Sequence, residues 1–305
     1  MTRAEQELAE AMRAANGGDF AGAAERFERA AQLLPASRAA DAAAAWESVV
    51  RLRLMLGEVD AAARALARAQ ALTPDAPRLL RVTAEVADAR GDALERERAW
   101  RAVVTDGDPA ERVGAWVRLG ELARAEGMVG PAVTYFESAL AAAPAADLAQ
   151  RAELELELAM ARTAAGDLDG ATAALEAAAA HATAEQVTMP ARLEGQRGVI
   201  ALGRGQLEQA MVHAEAARAG AVAGRDVPTY LGAATLIAGI HQDAGRLVEA
   251  YDTFMRTQAS LGDLLGPDGK ALVAPAVQLF EERLGPEQFQ RVWDAWVAMR
   301  RAARG

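Results

Sequence analysis

The sequence predicts an all-α array of helix pairs, and three observations carry that expectation. Seven glycines, Gly18, Gly57, Gly91, Gly127, Gly166, Gly205 and Gly245, recur at spacings of 39, 34, 36, 39, 39 and 40 residues. Five residues after each one, a small or polar position opens an Ala-rich run with helical spacing. Pro35, Pro74 and Pro144 then follow the second run of a repeat at a fixed distance, where a residue without an amide hydrogen cannot continue a helix. A period of this size marks stacked supersecondary repeats that share one extended core.

Each repeat can be justified from its residue types. Glycine reaches the left-handed conformation that ends a helix, and the Asp of Gly18-Asp19, Gly91-Asp92 and Gly166-Asp167 can cap the helix that follows. Every glycine is therefore expected at a tight turn between two helices. Ala23, Ala62, Ala132, Ala171, Ala210 and Ala250 let neighbouring helices approach, while Phe27, Leu66, Trp100, Phe136 and Leu175 fill the space one turn on. Ala132 is expected to be buried and Ala143 to tolerate a larger side chain. In the third repeat Arg96 stands where the small residue belongs. Glu153, Glu155 and Glu157 alternate with Leu154, Leu156 and Leu158, a strand-like pattern taken in isolation; the repeat context assigns it to a helix.

The fourth repeat holds Trp116, Leu119 and Gly120 as WxxLG, then Gly127, Ala132, Phe136, Ala139 and Pro144. This resembles the tetratricopeptide repeat, whose pattern runs W x2 L G x2 Y, then A x3 F, then P. The second repeat matches with Trp46, Gly57, Ala62, Leu66, Ala69 and Pro74, the first with Gly18, Ala23, Phe27, Ala30 and Pro35. Repeats six and seven keep Gly198, Gly205, Ala210 and Ala217, and Gly245, Ala250 and Phe254. Where the family often has Tyr, the fourth repeat has Ala123. The resemblance implies a right-handed helix-turn-helix solenoid, a superhelix of about seven helix pairs over residues 1–262, with C-terminal capping helices over 263–305.

Beyond Gly262 the pattern changes. Residues 271–284 read as one amphipathic helix with Val273, Val277, Phe280 and Leu284 on one side. After the Gly285-Pro286 break comes another with Phe289, Val292, Trp293, Trp296 and Val297. An open solenoid needs its last apolar face covered, so both are expected to cap the array. Paired tryptophans also suit a partner or self-association surface. Arg300, Arg301 and Arg304 complement the end of the last helix.

Composition narrows the function. The chain of 305 residues carries a formal charge of -10 and no cysteine. The acidity argues against a nucleic-acid surface, including that of the pentatricopeptide repeats, which share the period and bind RNA. Absence of cysteine removes disulfides and thiolate zinc sites. Lys270 is the only lysine and Asn16 the only asparagine, a bias that suits a GC-rich bacterial genome. The first residues mix charges without an apolar stretch, and the longest uncharged segment, between Asp226 and Asp243, is short for a bilayer. A cytoplasmic chain without membrane insertion is expected. His181, His213 and His241 have no metal-ligand spacing, and no HExxH, GxSxG or GxxxxGK[ST] occurs. His213 near Glu215, and His241 near Asp243, sit two apart and so point to different sides of a helix. No catalytic residue, metal or cofactor is expected.

The resemblance implies that the first helix of each pair lines a concave groove. Stepping off the Trp/Leu/Gly face marks Glu47, Arg51 and Leu54, then Arg78, Arg81, Glu85 and Asp88, then Val117, Glu121 and Arg124 as its partner-binding residues. Repeats one and five offer Leu8, Met12, Leu156 and Met160; six and seven offer Gly195, Val199, Leu202, Gly232, Thr235 and Gly239. The groove is thus expected to be charged in the middle and small or apolar near its end. Arg51, Arg78 and Arg81 would form a positive patch suited to an acidic protein or peptide segment. One lysine and one asparagine cannot build the carboxylate clamp of the family's chaperone-binding members. The expected role is a protein-interaction scaffold or adaptor. The alternatives are a homo-oligomer formed through the C-terminal helices and a ligand-sensing regulatory module.

Overall fold

The computed structural model describes residues 1–74 and 76–303, and the described residues contain helices but no strand; Arg304 lies outside them. The chain divides into two compact units, Met1–Ala142 and Ala143–Gly305. The first holds four helix pairs: α1 (Arg3–Asn16) with α2 (Phe20–Leu33), α3 (Ala39–Met55) with α4 (Val59–Leu72), α5 (Arg78–Arg90) with α6 (Ala93–Asp106), and α7 (Pro109–Ala125) with α8 (Val129–Ala142). The second holds α9 (Leu148–Ala164) with α10 (Leu168–His181), α11 (Met189–Gly203) with α12 (Leu207–Gly224), and α13 (Val227–Asp243) with α14 (Leu247–Leu265). Three further helices follow, α15 (Pro267–Ala271), α16 (Ala274–Leu284) and α17 (Pro286–Ala302).

All seven recurrent glycines take positive φ, between 72° and 82°, a conformation that strains any side chain with a Cβ. They sit in the turns between the two helices of each pair. Asp19, Asp92 and Asp167 accept backbone hydrogen bonds from Gly22, Leu94 with Glu95, and Gly170, each capping its second helix.

Behind the turn, Ala23, Ala62, Ala132, Ala171, Ala210 and Ala250 are at most 1% exposed, so the second helix of every pair but the third packs through a small side chain there. The WxxLG motif has a steric reason as well. A Cβ on Gly120 would stand 2.8 to 3.0 Å from three ring atoms of Phe136, and Phe136 is fully buried. Gly120 therefore lets the ring lie directly against α7. Gly198 does the same for Leu236, whose Cδ2 would be 2.7 Å from an added Cβ.

The alternating Leu and Glu residues of α9 form a helix as the repeat requires. Leu154, Glu155, Leu156 and Leu158 are all buried, because α9 is packed by α10 on one side and α11 on another. Ala143 is also buried, contrary to expectation. It lies just past the end of α8, where helical spacing no longer says which way a side chain faces.

The segment expected as one helix over 271–284 is two. Ala271 ends α15, Val273 is fully buried at the junction, and α16 begins at Ala274 with Pro275 in its first turn. Proline suits that position and not a helix interior. α14 passes through Gly262 and continues to Leu265.

α16 and α17 cover the apolar side of α14. Tyr251, buried on α14, meets Phe280 at 6.1 Å, Phe289 at 5.6 Å, Trp293 at 6.0 Å and Trp296 at 5.4 Å between ring centroids. Trp296 Nε1 donates to Asp252 Oδ1 at 2.9 Å, so the half-buried indole keeps its hydrogen bond. Arg300 lies 6.0 Å from the centre of the Trp296 ring.

Two outcomes follow from this packing. Ala132→Leu should overfill the α7–α8 contact and cost about 1 to 3 kcal/mol in a urea melt, whereas Ala142→Leu, at an exposed position, should change little. Ending the chain at Gly266 should uncover Tyr251 and Phe254 and give aggregation in light scattering; a monomeric product with an unchanged melt would mean that α16 and α17 are not a cap.

Candidate partner-binding site

In the first compact unit the predicted site residues lie on the first helices α3, α5 and α7, and most are already paired. Arg51 reaches Glu47 at 2.7 Å along α3. Arg78 donates to the Ala40 carbonyl at 2.7 Å and lies 3.9 Å from Glu47. Arg81 donates to Glu85 at 2.9 Å. The three arginines therefore stand in a mixed-charge network rather than a bare positive patch. The neutralising carboxylates lie on the same or the adjacent first helix, one turn away or across the helix contact. Arg51 and Arg81 keep side-chain exposures of 48% and 49%, which leaves their outer edges open to another molecule.

Glu111, near the start of α7, belongs to the same network although the motif stepping did not mark it. Burial pushes its carboxyl above the usual carboxylate range; Arg81 and Arg51 pull it down, while Asp108 and Glu47 push it further up. Its Oε2 is buried with no hydrogen-bond partner among the described residues.

Asp88 has a different job from the one expected of it. It is only 16% exposed and accepts from Arg118 at 2.7 Å, with Arg96 at 3.9 Å. Arg96 in turn reaches Glu126 at 2.5 Å. The arginine that replaces the repeat's small residue thus joins α5, α6 and α7 through carboxylates, which explains how the third repeat packs without its alanine. Hydrogen bonds donated to Asp88 and Glu121 raise the Arg118 pKa against the effect of burial. Glu121 pairs with Arg118 at 2.9 Å. Leu54 packs on the core of repeats one to three, Val117 is half-buried, and Arg124 lies 6.0 Å from the Phe136 ring. These last two residues and Leu54 contribute less to an open face than Arg51, Arg81 and Glu85.

In the second unit the first helices α9, α11 and α13 line an open pocket of about 300 Å³. Its lining includes Leu156, Met160, Gly195, Val199 and Gly232, all expected on the small or apolar end of the groove, together with Leu236. Leu156 is 1% exposed, so it forms a wall rather than an outward contact. Gln196, buried at 8% exposure, also lines the cavity. On its rim Arg192 donates to Glu153 at 2.6 Å and lies 4.0 Å from Glu157.

His181 and His213 pair with a neighbouring helix, and His241 accepts from Arg246 Nε at 3.1 Å, five residues on. His181 Nδ1 lies 2.8 Å from the buried Glu155, and His213 Nδ1 lies 2.7 Å from Glu194. Burial pushes the Glu194 carboxyl up, but hydrogen bonds with His213 and Arg197 outweigh it and hold the group below its ordinary value. No group of three or more His, Asp or Glu residues that could hold a metal ion forms among the described residues. No helix among them is long and apolar enough to cross a membrane.

No protein-family model matches the sequence, and no curated protein matches it. Solved structures do. A tetratricopeptide repeat protein from Parabacteroides merdae aligns with a TM-score of 0.62 at 14% identity, covering 91% of this chain and 98% of that one. The apo form of RapI aligns with a TM-score of 0.63 at 12% identity, covering 93% and 88%. A signal-transduction ATPase with a tetratricopeptide repeat sensor, from Pyrococcus horikoshii, aligns at 0.64 and 14% identity over 88% of this chain and 44% of that one. At such identities the likeness is one of fold, and the fold is the tetratricopeptide-repeat type.

Glu111→Gln tests the electrostatics of the first-unit face. Because the folded protein holds the Glu111 proton more tightly than the unfolded chain does, wild-type stability falls as pH rises through the folded pKa. The variant should therefore be the more stable at neutral pH, and the gap in urea melts should close as pH drops below the ordinary carboxylate range. A gap that widens on acidification would reverse the assignment.

Proposed function

We propose that the chain is a protein-interaction scaffold that binds an extended or helical partner segment along its first-helix faces. The observation that carries this reading is the row of paired charged side chains that α3, α5 and α7 hold outside the core, with Arg51 and Arg81 about half exposed. Residues on rigid helices, repeated at constant spacing, suit a segment that is contacted by several repeats at once.

The charged face favours a segment carrying carboxylates. Arg81 pairs with Glu85 along its own helix, and such a partly exposed pair is worth only about 0.3 to 0.5 kcal/mol. Exchanging Glu85 for a partner carboxylate therefore costs little, and the guanidinium fork suits the new contact; Glu47, at 12% exposure, stays beside Arg51 and Arg78.

The test is a binding titration with a protein partner recovered by cross-linking from the native cell. Arg51→Glu with Arg81→Glu should weaken binding by about tenfold or more and flatten its salt dependence. The same charge change at the exposed Arg68 and Arg98, on the second helices α4 and α6, should leave affinity within about twofold. Equal losses from both pairs would reduce the effect to net charge and overturn the reading.

A further inference from the structure

A second pocket of about 250 Å³ lies in the first unit, lined by α2, α3 and α4. Trp46 and Val49, buried core residues of α3, give it a fixed apolar wall. Its other lining is charged. Arg53, Arg64 and Arg68 bring three guanidiniums, and Glu28 is the one carboxylate among the described residues that line it.

The protein does not neutralise this charge itself. Arg53 pairs with Glu58, but Arg64 and Arg68 are exposed and make no ion pair or hydrogen bond among the described residues. Other exposed arginines of the first unit differ: Arg29, Arg51, Arg81 and Arg101 each hold a carboxylate. Arg64 and Arg68 also stand one turn apart on α4, where like charges oppose the helix. On a chain of net charge -10, two such arginines that line one pocket are a local cost with no internal compensation. Departures of that kind mark functional positions.

We infer that this pocket binds a small phosphate monoester that carries a hydroxyl group close to its phosphate. A dianionic phosphate answers both free arginines at once, and its oxygens match the forked N–H groups of guanidinium. A carboxylate, with one charge, leaves one of the two arginines unmatched. Glu28 selects the rest of the ligand. One of its oxygens accepts from Gln32 at 3.4 Å; the other has no partner among the described residues. A bare dianion meets a like charge there, whereas a ligand hydroxyl donates to it. At about 250 Å³ the pocket lies just below the usual range for ligand sites, which suits a small ester rather than a nucleotide. The site stands apart from the scaffold reading, because its free arginines are on a second helix.

The experiment is a calorimetric titration of the full chain with glycerol phosphate, inorganic phosphate and sulfate. Glycerol phosphate should bind saturably at one site and about tenfold more tightly than sulfate, which has no hydrogen to donate to Glu28. Inorganic phosphate, with a single hydroxyl, should lie between them. Arg64→Gln with Arg68→Gln should weaken binding about tenfold or more. The same change at Arg90 and Arg98, exposed on α5 and α6, should leave it within about twofold. Because the first double variant removes a like-charge pair, its ligand-free melting temperature should not fall, and ligand should raise the melting temperature of the wild type only. Glu28→Gln should erase the preference for glycerol phosphate over sulfate. Equal binding of all three probes would mean an adventitious ion only and overturn the inference. Equal losses from the two double variants, or no saturable binding, would overturn it as well.

Discussion

A left-handed turn that strains every side chain but hydrogen is the constraint on which each helix pair depends. It brings the second helix back against the first at once, with an aspartate often waiting to cap it, as Asp19 and Asp167 do. The close return is workable only if the facing positions are small, and Ala23, Ala132 and Ala171 meet that requirement. Turn and alanine are therefore one device.

This device was legible in the sequence because it is local: a glycine, a cap and an alanine lie within a few residues of each other. The WxxLG motif was legible for the same reason, and Phe136 against Gly120 gives it a steric meaning. What sequence could not show were relations between helices far apart in the chain. Asp88, marked for the open face, is instead held by Arg118 and Arg96, a bond that depends on how α5, α6 and α7 are rotated against each other. Glu155 and His181 likewise find each other across a helix pair. Ala143 was misjudged where helical periodicity stops, and the α15–α16 junction was missed although Pro275 was in plain sight.

The two compact units differ in what their first helices expose. On α3, α5 and α7 the arginines are neutralised by carboxylates of the same chain. On α9, α11 and α13 the exposed side chains instead line an open, mainly apolar pocket of about 300 Å³.

Hydrogen exchange on the chain, alone and with its cross-linked partner, tests the central claim that first helices bind while second helices pack. Partner binding should slow exchange in α3, α5 and α7 and in α9, α11 and α13, leaving α4, α6, α10 and α12 as they were. Protection confined to those second helices, or to α16 and α17, would contradict it.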